Sequence, residues 1–293
     1  MRVFITGASG FIGSEVTKEL VGLGHTVVAL ARSEKSAETV AKLGATPLRG
    51  SLEDTDVLKK GASESDGVIN LGFNHDFSQY GASLQVEIDA IEAMGDVLKK
   101  KGLPFVIANG GPSLAETIDL NDTVTPRAIA AAKVIRLAER DVRSSVVRLP
   151  PCVHDGTKGG FASFLAGIAK QTGVSGYAGN GSNRWCAVHR MDAVRLFCMA
   201  FEEAPAGSLL QAVGDGGIPV KEIAEKIGEH LNIPVKPIAD EDLEKHFGWL
   251  AMLIKRDIPA KSTLTQKLLG WQPTHPGLLH SMDSGHFFDN KVV

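Results

Sequence analysis

The stretch that decides the fold is "MRVFITGASGFIG", residues 1–13. Within it "RVFITG" is a short apolar run closed by a glycine, the pattern of a buried strand. The following "FIGSEVTKELVGLGH" (11–25) carries Phe11, Ile12, Val16, Leu20 and Leu23 at helical spacing. At the turn between them, "TGASGFIG" (6–13) sets Gly7, Gly10 and Gly13 three residues apart. Glycine there permits a tight bend, lets backbone approach a pyrophosphate, and lets helix touch strand. The helix start adds free N–H groups and a positive dipole for phosphate. Gly7, Ser9, Gly10, Phe11, Ile12 and Gly13 are therefore candidate cofactor-binding residues. A glycine-rich turn without a ligand is the competing reading. The strand before it and the helix after it argue against that reading.

Outward from this turn the same alternation continues. "TVVALAR" (26–32), "ATPLRG" (45–50), "GVINLGF" (67–73), "PFVIANG" (104–110) and "SSVVRLPP" (144–151) read as strands. Helical patterns lie between them, two ended by glycine, and a last helix opens at "TPRAIAAAKV" (125–134), where Thr125 suits the cap and Pro126 the first helical position. Repeated β-α units predict an α/β fold, a doubly wound Rossmann-type parallel sheet covered on both faces. Beyond Pro151 the pattern loosens into helices, a glycine-rich stretch and short strands. The expected division is residues 1–150 as dinucleotide-binding core and 151–293 as a smaller substrate-binding region with elements returning to the core.

Composition narrows the class. Hydrophobic residues make up 43% and charged residues 22%, ordinary for a water-soluble globular chain, and the formal net charge of −3 offers no nucleic-acid footprint. No apolar run approaches the roughly 18 residues that span a bilayer, and no secretory signal opens the chain. Cys152, Cys186 and Cys198 form no CxxC, which reads as reduced thiols in a cytoplasmic protein. The expected partner is a small-molecule substrate, with neither nucleic acid nor membrane, on a monomer or homodimer. No metal-spaced cluster is evident.

The end of the second strand bears on cofactor choice. An acidic residue there would hold ribose hydroxyls and favour NAD. In "VVALARSEK" (27–35) Ala31 is followed by Arg32, Ser33 and, further on, Lys35. Arg32 and Ser33 suit a 2′-phosphate, which points to NADP(H) ahead of NAD(H). A solvated loop charge is the alternative for Arg32.

Several stretches together resemble the short-chain dehydrogenase/reductase superfamily, in its extended or atypical, epimerase/dehydratase-like branch. They are "TGASGFIG" (6–13), "GVINLGF" (67–73), "VVRLPPCVHDG" (146–156), "GNGSNRWCAVHRMDAVRL" (179–196) and "LGWQPTHPGLL" (269–279). "FNHDF" and "AVHRMDA" further resemble a fungal and bacterial subgroup of NAD(P)-dependent dehydrogenases. The resemblance implies that Leu71, Gly72 and Phe73 lie along the cofactor, with Pro150, Pro151 and Val153 near the nicotinamide. It also implies a Ser or Thr after the fifth strand and a Tyr-x-x-x-Lys pair on the next helix. Here the sequence departs. Only Tyr80 and Tyr177 are present, and neither has Lys four residues on. Arg127 stands at the Tyr register and Ala131 at the Lys register. Lys133 falls on another helical face. Gly111 takes the Ser/Thr place, with Ser113 two residues later.

Four residues remain as candidates for the chemistry. Arg127, always protonated, would polarise a carbonyl or stabilise an oxyanion, or else serve as an anchor. His75 titrates near neutrality and would donate a proton, or pack in its loop. Asn109 would orient substrate, or end its strand. Ser113 stands in for the displaced hydroxyl. His154, Arg184 and Trp185 are expected along the substrate, with a turn competing at His154 and Asp155, and His189 is read as architectural. The expected activity is an NADP(H)-dependent oxidation or reduction of a carbonyl or alcohol. A non-redox enzyme (lyase, isomerase or cyclase) on the same fold and an NADP-binding sensor are the alternatives.

Overall fold

The computed structural model describes residues 1–74, 79–110, 116–117, 119–121, 126–284 and 286–289. The first half alternates β1 (Arg2–Thr6), α1 (Phe11–Gly22), β2 (Thr26–Ala31), α2 (Glu34–Lys42), β3 (Thr46–Arg49), α3 (Thr55–Ser63), β4 (Gly67–Asn70), α4 (Tyr80–Leu98), β5 (Pro104–Gly110), α5 (Pro126–Arg136) and β6 (Arg143–Leu149). The second half holds β7 (Cys152–His154), α6 (Phe161–Thr172), β8 (Ser175–Ala178), β9 (Arg184–His189), α7 (Arg190–Glu203), β10 (Ser208–Gln211), β11 (Asp215–Pro219), α8 (Val220–Leu231) and β12 (Val235–Ile238). Four short helices close it: α9 (Leu243–Phe247), α10 (Ala251–Ile254), α11 (Thr263–Leu269) and α12 (Leu278–Asp283). Thr125, read above as a helix cap, lies outside the described residues.

Seven strands form one parallel sheet in the order β10-β6-β5-β4-β1-β2-β3. The order reverses beside β1, where open α/β sheets take their ligands. Period-two alternation divides the strand residues between two cores. Val3, Ile5, Val27, Ala29, Val106 and Val147 face α1, α2 and α7. Phe4, Val28, Leu30, Phe105, Ile107 and Val146 face α3, α4 and α5. β4 stops at Asn70, so Leu71, Gly72 and Phe73 leave the sheet and are not strand as "GVINLGF" suggests.

The second half is tied into this core. α7 buries Phe197 and Phe201 completely on the α1 side, and β10 adds the seventh strand beside β6. A full burial of that kind contributes about 2 kcal/mol per side chain. The remaining elements build two further sheets, β11-β9-β7 and β12-β8, around a third core. All three cysteines are buried thiols, and burial pushes each up to about 12. Among the described residues no helix is long and apolar enough to cross a membrane, and no His, Cys, Asp and Glu group is set to hold a metal ion.

Asp192, in the first turn of α7, seats the segment leading to α12. Its Oδ1 accepts from the Thr274 N–H (3.0 Å) and faces His275 Nδ1 (3.0 Å), and its Oδ2 accepts from the His275 N–H (3.0 Å). The Trp271 indole donates to the Asp192 carbonyl (3.0 Å). Burial alone would raise this carboxyl. The hydrogen bonds from His275 and from the Thr274 and His275 backbone hold it below its usual value. Asp192→Ala strands these donors, and a loss of about 3 kcal/mol is expected by urea unfolding, since orphaned buried groups and broken buried pairs cost that much. Unchanged stability would show that Trp271 alone seats the segment.

Candidate functional site

The site begins at the glycine turn. Gly7 has φ +71, a conformation that favours glycine, and a Cβ there would lie 2.7 Å from backbone atoms of Leu71 and Gly72. A Cβ on Gly13 would lie 2.1 Å from the Gly7 carbonyl oxygen. Gly10 is the N-cap of α1, supplies no side-chain cap, and the first turn holds no acidic residue. The leading N–H groups of α1 are thus left to an anion, and the cradle is one that a Cβ would fill. These residues fit the phosphates of a dinucleotide. Ser9 is exposed beside them, and Phe11 and Ile12 are half-buried.

The segment after β4 lies against this turn. The Leu71 N–H donates to the Thr6 carbonyl (3.2 Å) and the Gly72 N–H to Thr6 Oγ1 (3.0 Å). Leu71 and Gly72 are thereby brought beside Gly7. Pro150 and Val153 are buried where the chain leaves β6. At the end of β2, Arg32 is exposed and has no ion pair among the described residues. Ser33 caps α2, its hydroxyl accepting from the Ser36 N–H (3.2 Å). Sheet register sets Arg49, at the end of β3, beside Ala31, and Arg49 pairs with Glu34 (3.4 Å). The sequence reading missed Arg49, although a lone arginine closing a short strand was visible in "TPLRG".

Arg127 enters the site from the first turn of α5. Its Nε donates to the Gly110 carbonyl (2.7 Å), and its Nη1 donates to Glu87 Oε1 (2.5 Å). Its Cζ stands 4.6 Å from the Phe73 ring centroid. Three elements, β5, α4 and the end of β4, thus pin one guanidinium. Nη2 makes no hydrogen bond among the described residues. The Asn109 amide donates to the Arg127 carbonyl (3.0 Å), so this buried side chain holds the start of α5. His75 and Ser113 lie outside the described residues.

Glu87 is the residue that the sequence reading overlooked. It belongs to the apolar stripe Leu84, Glu87, Ile91, Met94 and Leu98 of α4, and an acid on such a stripe was the available signal. Its side chain is 3% exposed, and Oε2 is buried without a hydrogen-bond partner among the described residues. Burial pushes the carboxyl up, and the charge and hydrogen bond of Arg127 pull it back only in part. Arg148 stands opposite Asn109 in register; burial lowers its guanidinium, and the charge of Arg127 lowers it further. Tyr80, at the start of α4, sets its ring edge-on to Phe73 at 6.3 Å. Four residues past Arg127, Ala131 is wholly buried, and Lys133 turns away to pair with Glu92.

The expected substrate residues need correction. Trp185 is fully buried, edge-on to Phe161 at 6.2 Å, so it is a core side chain and not a pocket wall. Alternation along β9 explains the difference, because Arg184 points outward. Arg184 is exposed and held in a surface fork by Asp257 through Nε (3.0 Å) and Nη2 (2.8 Å). His154 is also fully buried. Its Nδ1 meets Ser281 Oγ at 2.9 Å, Nε2 has no hydrogen bond, and its ring lies edge-on to His189 at 5.5 Å. Asp155 forms a turn, accepting from the Thr157 and Lys158 N–H groups.

A family model for NAD(P)H-binding proteins matches residues 7–147. An uncharacterized protein of Schizosaccharomyces pombe is 43% identical over 295 residues, covering 98% of this chain and 100% of that protein. The fold is similar to that of UDP-glucose 4-epimerase from Thermotoga maritima, with a TM-score of 0.75, 17% identity, and 99% and 98% of the two chains covered. It is also similar to that of a short-chain dehydrogenase/reductase superfamily protein of Agrobacterium tumefaciens with bound NAD, with a TM-score of 0.74, 15% identity, and 98% and 96% covered.

The buried imidazole yields a pH prediction. Burial first, then the neighbouring His189, pushes His154 down to about 3, against the pull of Asp155 and Asp192. A lowered folded-state value means that its contribution is whole above the ordinary histidine range and is lost as pH falls from about 6.5 toward the folded value. Wild type should therefore lose stability against His154→Gln by up to about 1.4 kcal/mol per pH unit as pH falls below about 6. Denaturant unfolding of both proteins at a series of pH values measures this. Parallel curves would show that the buried ring does not set the slope.

Proposed function

Because residues 7–147 match the NAD(P)H-binding family model and the chain is related from end to end to the Schizosaccharomyces pombe protein, we propose that it is a short-chain dehydrogenase/reductase of the extended, epimerase/dehydratase-like branch, an NADP(H)-dependent oxidoreductase acting on a carbonyl or alcohol of a small or medium-sized organic molecule. The observation that carries this reading is the Arg127 guanidinium. It is pinned by Gly110, Glu87 and Phe73 at the C-terminal edge of the sheet, with Nη2 outside the pinning contacts. When bound, the nicotinamide supplies or takes up the hydride. Arg127 acts electrostatically: it keeps its proton, and its N–H groups meet the charge that grows on the substrate oxygen. Glu87 and Asn109 hold it in place. The proton comes from another group, for which His75 is the candidate.

Cofactor preference follows from the ends of β2 and β3. Arg32 follows β2 and Arg49 ends β3, where the adenosine ribose is expected, and Glu34, which follows Ser33, is engaged by Arg49. Arg32→Ala should weaken NADPH selectively, by about tenfold or more, since hydrogen bonds to charged groups contribute about 1.5–3 kcal/mol. NADH, without a 2′-phosphate, should bind unchanged. Calorimetric titration of both nucleotides measures this. Equal losses, or a wild-type preference for NADH, would remove the NADP assignment.

Turnover is tested with a panel of aldehydes, ketones and quinones, following NADPH oxidation and, independently, product. Arg127→Ala should lower the rate by about 10²–10³, as removal of an oxyanion donor does. It should also destabilise the fold by about 3 kcal/mol, because Glu87 is left buried without its cation. Adding Glu87→Gln should restore stability and not turnover. Tyr80→Phe should stay within about tenfold of wild type, or about 1.4 kcal/mol in barrier; a dead but folded Tyr80 variant would make the phenol the proton donor. Product without change in NADPH would favour a lyase, isomerase or cyclase. Binding without turnover on the whole panel would favour a sensor.

A further inference from the structure

Arg190 opens α7 in the second half, yet its side chain ends on the first turn of α1. Its Cζ lies 4.3 Å from the Phe11 ring centroid, and Nη2 donates to Ser14 Oγ at 2.8 Å. Phe11 and Ser14 are one turn apart at the start of α1, and helical side chains lean toward the N-terminus. The guanidinium is therefore held alongside the open N–H end of α1. Two carboxylates stand near it: Glu15 Oε1 is 3.4 Å from Nη2, and Asp155 Oδ2 is 3.3 Å from Nη1. Both exceed the 2.7–2.9 Å typical of a tight charge-assisted bond. Asp155 Oδ1 is already taken by Thr157 and Lys158. Arg190 Nε is buried and has no hydrogen-bond partner among the described residues.

The position is also a poor one for a cation on grounds of its own helix. α7 places Arg190 first, at the positive end of its macrodipole, where an acid is preferred. Stacking on Phe11 and the Ser14 bond position the group, while its charge is only loosely matched. Glycine cradle, open helix end and fork-shaped cation meet at one place, and a guanidinium suits phosphate oxygens.

We propose that Arg190 is a cofactor-binding residue contributed by the second half of the chain, directed at the pyrophosphate of the dinucleotide. This rests on the nucleotide-binding reading of the glycine turn. The pyrophosphate is common to NADH and NADPH, so Arg190 must act on both alike, unlike Arg32. A packing strut between the two halves is the competing role, and it predicts no charge dependence.

The test is binding, measured by calorimetry on the full chain with NADH, NADPH and inorganic pyrophosphate as probes. Arg190→Gln should weaken NADH and NADPH by the same factor, about tenfold or more. It should abolish competition by pyrophosphate and flatten the salt dependence of binding. Arg190→Lys, which keeps the charge, should recover part of the loss. Asp155→Asn, which releases Arg190 from one carboxylate, should bind both nucleotides at least as tightly as wild type. If Arg190→Gln melts early, the Lys and Asp155 variants decide the matter on their own. Unchanged affinities in a folded Arg190→Gln protein would overturn the proposal, as would a loss confined to NADPH or weaker binding by Asp155→Asn. A wild-type preference for NADH would remove the NADP assignment and leave the Arg190 comparison intact. Wild-type protein that binds neither nucleotide removes both.

Discussion

The close approach of α1 to the end of β1 governs the rest of the molecule. A methyl group on Gly13 would sit 2.1 Å from the Gly7 carbonyl oxygen, and one on Gly7 would sit 2.7 Å from the Leu71–Gly72 backbone. Backbone meets backbone on both sides of this turn, so neither neighbour has a side chain to rotate away. The same tightness draws the segment after β4 over the turn and anchors it on Thr6. From there Phe73 carries the contact onward to Arg127. One steric constraint thus sets the glycine cradle, and through Phe73 it also locates the Arg127 guanidinium.

The buried Glu87–Arg127 pair poses an energetic question that packing does not answer. Removing a carboxylate from water costs several kcal/mol, and a single good ion pair rarely stabilises the fold beyond that. Apolar side chains on α4 and α5 would join these helices as well. The orphaned Oε2 sharpens the point, because an unsatisfied buried oxygen is a further loss. What the pair provides is direction: a guanidinium fixed from β5, α4 and the end of β4 has little freedom left to lose when a substrate arrives.

The extent to which the sequence revealed all this follows the kind of signal involved. The glycine turn, the β-α alternation and the parallel sheet rest on local spacing, which a single chain displays. The place of Arg127 in the first turn of α5 was legible because helix starts are local too. Glu87 was not singled out because its partner is 40 residues away, and only the apolar stripe of α4 marked it as buried. Trp185 and His154 were misread for the opposite reason. Aromatic and imidazole side chains near a glycine-rich loop resemble pocket walls, whereas here β9 and β7 turn them inward to a core built by α6, α9 and α12. Whether a strand residue faces core or cleft depends on a sheet that this half of the chain assembles from distant pieces.

The physical role of α5 that the structure displays is packing. With Ala130, Ala131 and Val134 wholly buried, α5 gives its inward face to packing against α4 and the sheet. A lysine at Ala131 would have to bury its ammonium in that core, which is expensive without a partner. Arg127, from α5, and Tyr80, from α4, instead meet on the Phe73 ring. Arg190, reaching across from α7, lies beside the first turn of α1 and takes no part in that packing. α7 and β10, from the second half of the chain, are thus built into the sheet and the layer that covers it and not set apart from them.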